Sequence, residues 1–600
     1  MPNTPPRWDL SNVYPGLESP ALQKDIEWVK DATESIKKLY QDEFLKIDTS
    51  SPKETINRAI STMVDRVNKL MLKASTINAF LHSYIATDSF NQQATRLGSQ
   101  FDQVMVSIQK VSVLLEAWVG QFKDILPEVL ELGNMAGEHA FPITEMAEQS
   151  QYLMSEQEEI LTSELSLSGS RAWGKLQGVV TSQKTVDFEL GGEIKALPMP
   201  ALINLHAHPD EVVRKRAYEA EMDAWESVKE PLAACMNGIK GWVNTLNDHR
   251  GRKDALHQSL DQARIDRETL QAMMGAMEDA FPTFRRYFKA KAARFGQEAL
   301  PWWNVFAPVG KLDKEYSFDE AKNFILKNFG NFSEELKDFA KRAFENNWID
   351  AEQRSGKRGG AFCMSVPGVK ESRIMCNFDG SLDQVMTIAH ELGHGYHNFN
   401  MFQAGKTPLQ RQTPMTMAET ASIMCETIVF NAVMDTITDP EEELALLETA
   451  LIGDSQVIVD IYSRFLFEKE VFERRKKAEL SADELCEIMD DAQAKTYGEG
   501  LDPDNRHKFM WTWKPHYYSA GLSFYNFPYA FGMLFGVGLY AIYKQRGDAF
   551  IPDYKKLLSS TGEAPAAELA ARFGIDIRSK KFWADSLAVV GKRIDRYCEL

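Results

Sequence analysis

His390, Glu391 and His394 are the residues of this chain whose types and spacing most directly imply chemistry. On an α-helix, residues four apart project to nearly the same side one turn on, so both imidazoles can reach a single ion. Glu391 projects about 100° away, where it can hold and deprotonate a water made acidic by that ion. With 11 His in 600 residues, His-Glu-x-x-His should arise about 0.02 times by chance. The pattern therefore points to a zinc hydrolase, with His390 and His394 as metal ligands and Glu391 as general base.

These residues need a helix to hold them. Ser381 followed by Gln384 reads as a capping box, and Val385, Ala389, Leu392 and Tyr396 continue an apolar stripe, so the spacing predicts a helix over 382–400. A catalytic zinc takes three protein ligands plus water. Between Gly395 and Ala418 there is no Asp, Glu or Cys, and the one histidine there, His397, lies about 10.5 Å along the axis from His390. Glu419 is the first carboxylate available as the third ligand. It is expected to open a second helix, although Thr416-x-x-Glu419 is also a capping-box pattern. Glu426, two turns further on, either orients a ligating histidine from behind or is a solvated helix residue.

Two further segments suit peptide hydrolysis. Residues 361–366 and 374–378 flank Pro367-Gly368 and read as a strand pair, whose exposed edge could take an extended peptide as an added strand. Amide hydrolysis also calls for donors to the developing oxyanion, and the stretch from His516 to Tyr525 offers a histidine, several phenols and Gly521 as a hinge.

At this point the chain resembles the M3 (thimet oligopeptidase) zinc peptidases, and within them the oligoendopeptidase F branch. The resemblance rests on His390-Glu-Leu-Gly-His394, Met417-Ala-Glu419-Thr-Ala-Ser422, Gly359-Gly-Ala-Phe-Cys363, and His516 with the tyrosine-rich stretch to Tyr529. The opening Arg7-Trp8-Asp9-Leu10 and Tyr14-Pro15 is also similar, so the likeness spans nearly the whole length. It implies a mainly α, two-lobed, multi-helix zincin-type metallopeptidase enclosing a deep substrate channel, with a small β-sheet beside the zinc helix. It further implies one Zn²⁺ per chain and internal cleavage of short peptides. Gly360, Ala361 and Phe362 would belong to the substrate strand. His516 would contact substrate, and Tyr529, with Tyr525 close behind, would donate to the oxyanion.

Composition is compatible with this reading. A chain of 600 residues with 44% apolar content can bury a large core. A net charge of −18 argues against nucleic acid and anionic membranes as partners. No secretory signal pattern follows Met1 and the six cysteines show no paired metal spacing, so a cytoplasmic protein with reduced thiols is expected. Residues 524–543 form an uncharged run of bilayer length, but Asn526, Pro528, four tyrosines and three glycines suit a packed internal helix. Helix formers dominate 21–160, and a small hairpin is expected around Gly191-Gly192. We expect a helical domain over 1–200 and a catalytic domain over 201–600. Two alternatives accompany the endopeptidase: a dipeptidyl carboxypeptidase or carboxypeptidase on the same scaffold, and a noncatalytic peptide-binding protein. The intact Glu391 argues against the latter.

Overall fold

The computed structural model describes residues 5–310 and 314–600. The protein is mainly α-helical, with a two-stranded and a three-stranded sheet as its β structure among the described residues. Contacts cluster into two units, each assembled from three separate stretches of chain. One takes in 1–153, 314–433 and 542–574, the other 154–313, 434–541 and 575–600. A division into 1–200 and 201–600 is thus not the one along which the contacts cluster, because elements far apart in sequence pack together.

The first unit begins with helices Pro20–Asp42, Lys53–Thr87 and Gln92–Gly120. Ser19 and Asn91 cap the first and third, each side chain accepting a backbone N–H of the opening turn. The stripe Ile56, Ala59, Ile60, Met63 and Leu70 faces inward and joins Phe80, Phe101 and Trp118 in one core, which Leu409 also enters. The strands, in chain order, are β1 (Thr185–Leu190) and β2 (Glu193–Pro198) of a hairpin in the second unit, and in the first unit a three-stranded sheet of β3 (Ile349–Asp350), β4 (Phe362–Val366) and β5 (Glu371–Met375) in the order β3-β5-β4. β3 runs parallel to β5 and β4 antiparallel to it, so β4 is an edge strand. β4 starts one residue later than the expected 361–366, and β5 lies three residues before the expected 374–378. The buried Arg373 of β5 donates to the carbonyl of Asp9 at 2.9 Å and to Asn12 Oδ1 at 2.6 Å, tying the N-terminal segment to the sheet.

In the second unit, helix Arg267–Arg294 packs along Lys580–Glu599, and Ile461–Arg475 along Ala482–Tyr497. The hairpin pairs 185–190 with 193–198 across Gly191-Gly192, both at positive φ as its turn requires. A π-helical turn, Gln456–Asp460, precedes Ile461–Arg475. The uncharged run supplies helix Phe527–Arg546, largely buried at its start. Gly538 lets Phe582 and Ser586 approach to within 3 Å of where a Cβ would lie. Among the described residues no helix is long and apolar enough to cross a membrane.

Candidate metal centre

The motif lies on helix Leu382–Gln403, three residues longer at its end than expected, with Ser381 accepting the Gln384 N–H at 3.3 Å. His390 and His394 stand one above the other with ring centroids 4.9 Å apart. Glu419 Oε2 is 3.2 Å from His390 Nε2 and 3.5 Å from His394 Nε2. One ligand atom from each of the three residues lies within 4.8 Å of the others, the one such metal-competent group among the described residues. Two imidazoles and a carboxylate at this spacing can converge on a single divalent cation.

Glu419 reaches this position by a route the sequence did not reveal. The second helix does not run unbroken from Thr416: a single turn, Met415–Ala418, stops at Glu419 (φ −83°, ψ 2°), and Ser422–Met434 starts afresh. Thr416 is buried within that turn, whose N-cap position is Pro414. Ser422 Oγ instead donates to Glu419 Oε2 at 2.5 Å and anchors the carboxylate. Gly393 makes the approach possible, because a Cβ there would lie 2.5 Å from both Ala421 O and Ser422 Cα. Neither Gly393 nor Ser422 was singled out from sequence, although a glycine between two ligands and a serine three residues after a third were the available signals.

Glu426, on the new helix, accepts from His390 Nδ1 at 3.0 Å. That bond fixes the tautomer that leaves His390 Nε2 toward Glu419. Burial disfavours protonation of His390, but hydrogen bonds to Glu419 and Glu426 outweigh it and hold the pKa up. For Glu419, burial opposes ionisation while the His390 bond and the charge of His394 keep the carboxylate well below its ordinary range. Burial pushes His394 down to about 4, favouring the neutral ring a metal ligand needs. His397 is outside the group. It is buried, and its Nε2 lies 2.9 Å from Thr561 Oγ1.

Glu391 is 6% exposed and its Oε2 has no hydrogen-bond partner among the described residues. Burial raises its pKa to about 7, the nearby Glu419 adding to this and His390 opposing it. A carboxyl poised there can take a proton and give it back near neutrality. β4 also packs against the motif helix. Phe362 opens the strand, its ring 5.4 Å from that of His82. Gly360 (φ +79°) and Ala361 precede it as irregular chain, and Gly360 O accepts from Asn377 Nδ2 at 3.0 Å.

His516, Tyr525 and Tyr529 belong to the second unit and form a cluster of their own. The His516 and Tyr525 rings stack with centroids 5.6 Å apart, and the two phenol oxygens are 2.7 Å apart. Burial, then the charges of Arg464, Lys240 and Lys514, push His516 down to about 3 and keep it neutral. The loop is less free than a glycine hinge would be. Its left-handed residue is Phe524 (φ +53°), not Gly521, and the Phe524 N–H donates to Glu468 Oε2 at 2.9 Å. Glu468 is in turn paired with Lys240 at 2.6 Å.

A model of peptidase family M3 matches residues 204–589. Oligopeptidase PepF of Bacillus subtilis (strain 168) is 21% identical over 602 residues, spanning 99% of this chain and 87% of that protein. Among solved structures, oligoendopeptidase-F from Enterococcus faecium aligns with a TM-score of 0.69 at 18% identity, covering 96% of this chain and 98% of that one. A crystal structure from Chlamydophila abortus aligns with a TM-score of 0.84 at 17% identity, covering 99% and 98% respectively.

Proposed function

The chain belongs to peptidase family M3, and from that premise we propose that it is a zinc-dependent oligoendopeptidase, hydrolysing internal bonds of short unstructured peptides. The observation that carries the reading is the convergence of His390, His394 and Glu419 beside a buried carboxyl, Glu391, whose Oε2 has no hydrogen-bond partner among the described residues. Two nitrogen donors and one carboxylate form the ligand set of catalytic zinc sites. Zn²⁺ held there supplies Lewis-acid polarisation of the scissile carbonyl and makes an attacking water acidic.

The chain's own residues do the rest. Glu426 holds Nδ1–H of His390, so the ring offers Nε2 at a fixed angle. Ser422 keeps Glu419 Oε2 from rotating away. Glu391 accepts the proton of the attacking water on its free oxygen and returns it to the nitrogen of the leaving amine. Burial, which favours its protonated form, helps it hold that proton between the two transfers. The outer edge of β4 offers unpaired main-chain groups to an extended peptide, binding backbone rather than a particular sequence. The assignment of His516, Tyr525 and Tyr529 to substrate and oxyanion rests on the family resemblance and on their chemistry, a neutral imidazole and two phenols. Relatives named oligopeptidase and oligoendopeptidase F support the endopeptidase reading over the exopeptidase ones.

The test is hydrolysis of an internally quenched peptide blocked at both ends, with metal content measured on the same samples. Wild type should cut internally. Glu391→Gln should keep about one zinc per chain and lose kcat by several orders of magnitude. Tyr525→Phe and Tyr529→Phe in the same assay should each lower kcat more than they change KM, the larger loss marking the main donor. A Glu391→Gln enzyme of undiminished activity overturns the mechanism, and a wild type that binds zinc and peptide without cutting overturns the activity.

A further inference from the structure

The second unit contains a cavity of about 500 Å³ that the reading above leaves unused. Its wall joins the segment just before His516 to the π-helical turn and to two histidines that flank a buried carboxylate. Glu221 lies at its floor, fully buried. His507 Nε2 is 2.9 Å from Glu221 Oε1, Trp225 Nε1 donates to the same oxygen at 2.9 Å, and His206 Nε2 is 3.2 Å from Oε2. Oε1 is thus engaged, whereas Oε2 makes no hydrogen bond of good geometry among the described residues; burial, which opposes ionisation, is outweighed by the two imidazoles, so Glu221 stays ionised. Arg464, also on the wall, is paired through one guanidinium nitrogen with Asp460, while its Nε is buried without a hydrogen-bond partner among the described residues.

What remains is a set of polar atoms with nothing to bond. Lys514 lines the cavity with no hydrogen bond or ion pair among the described residues, its ammonium resting 3.5 Å from the centroid of the Trp513 ring. Trp513 Nε1 is buried without a partner. So is His507 Nδ1, on a side chain 1% exposed. With Nε2 given to Glu221, Nδ1 is the ring's free nitrogen. Burial and the charge of Arg464 push Lys514 down to about 7, the cost of an ammonium held without a counterion. Trp302 and Phe306 supply apolar wall beside these groups.

A cation and an indole N–H want an anion, a free imidazole nitrogen wants a hydrogen-bond partner, and aromatic faces want an apolar side chain. One fragment carries all three: an apolar or aromatic residue ending in a carboxylate. We propose that this cavity is a binding site for such an end group, the chemistry shared by the C-terminus of a short peptide and a free amino acid, with Lys514 and Trp513 taking the carboxylate. The inference goes beyond the peptidase reading, and it is tested by binding, not by cleavage, so the two can fail separately.

The experiment uses full-length Glu391→Gln protein, so that peptides remain intact, titrated with N-acetylphenylalanine and with its amide by calorimetry. The acid should bind and the amide should bind about tenfold or more weakly, the loss expected for removing one charge-assisted contact. Lys514→Met in the same background should lose acid binding by a similar factor, and Lys514→Arg should retain it. Free phenylalanine against acetyl-Ala-Phe then identifies the source, tighter binding of the former marking an amino-acid site and of the latter a peptide-end site. Should Lys514→Met unfold, Trp513→Phe keeps the ring, deletes the N–H and should still weaken the acid several-fold. Equal affinity for acid and amide, or acid binding untouched in Lys514→Met or Trp513→Phe, overturns the proposal. Persistence in the variants would place the bound acid elsewhere, for instance at the metal.

Discussion

Glu426 touches no candidate ligand atom, yet it decides which nitrogen His390 presents. Its Oε2 sits 3.0 Å from Nδ1, so that nitrogen is held by Glu426 and Nε2, 3.2 Å from Glu419 Oε2, is the one turned toward the site. A carboxylate behind a ligating histidine also raises the basicity of the ring, and loss of such a partner costs metal affinity by about 10- to 100-fold. Glu426→Ala should therefore weaken zinc binding by that factor in competition with a chelator. Glu426→Gln, whose amide oxygen can still accept, should fall between. An alanine variant that competes as well as wild type would reduce Glu426 to a surface residue. The sequence left this position between two readings for a physical reason. Its phase is counted from Glu419 along a helix expected to open there, whereas the helix begins at Ser422 and Glu419 lies outside it.

At the scale of elements, the site depends on how closely the motif helix can run past the turn between Ala418 and Ser422. Gly393 faces that turn, and an added methyl would meet main-chain atoms at 2.5 Å, which cannot rotate aside as a side chain would. Gly393→Ala should push the turn outward at a cost of about 1–3 kcal/mol, as overpacking does, and carry Glu419 away from the two histidines. Expected is a protein with unchanged far-ultraviolet circular dichroism that purifies with much less than one zinc per chain. Full metal content would show that the helices tolerate the methyl. The motif helix was legible because a cap and a four-residue stripe agree over its length. The break at Glu419 was not, because Met417 to Val429 reads as one apolar helical run and Thr416-x-x-Glu419 imitates a cap. The edge strand was legible in kind but not in extent, since Gly360 and Ala361 leave extended pairing for an irregular turn.

For the whole molecule, each unit is held by buried polar bonds between stretches hundreds of residues apart, which no local periodicity records. In the first unit, Asn68 Oδ1 accepts the Leu409 N–H at 3.0 Å, and Arg373 reaches back to Asp9. This is why a division at residue 200, drawn from composition, misses the three-stretch assembly of each unit. In the second unit, Lys291 and Glu448, both almost wholly buried, meet at 2.5 Å and bring helix Arg267–Arg294 to helix Pro440–Ser455. Lys291 also donates to Val305 O at 2.8 Å, and Tyr287 to Glu448 Oε1 at 2.9 Å, so Oε1 carries the network while Oε2 is buried without a hydrogen-bond partner among the described residues. Removing one member leaves the other charge buried and uncompensated, which costs about 3–5 kcal/mol, whereas removing both relieves most of that penalty. Urea unfolding should thus show Lys291→Met destabilised by that amount and Lys291→Met/Glu448→Gln recovering most of it. The non-additivity measures the pair itself. If the double variant is as unstable as the sum of the singles, the two side chains act through separate contacts and the pair does not pin these helices together.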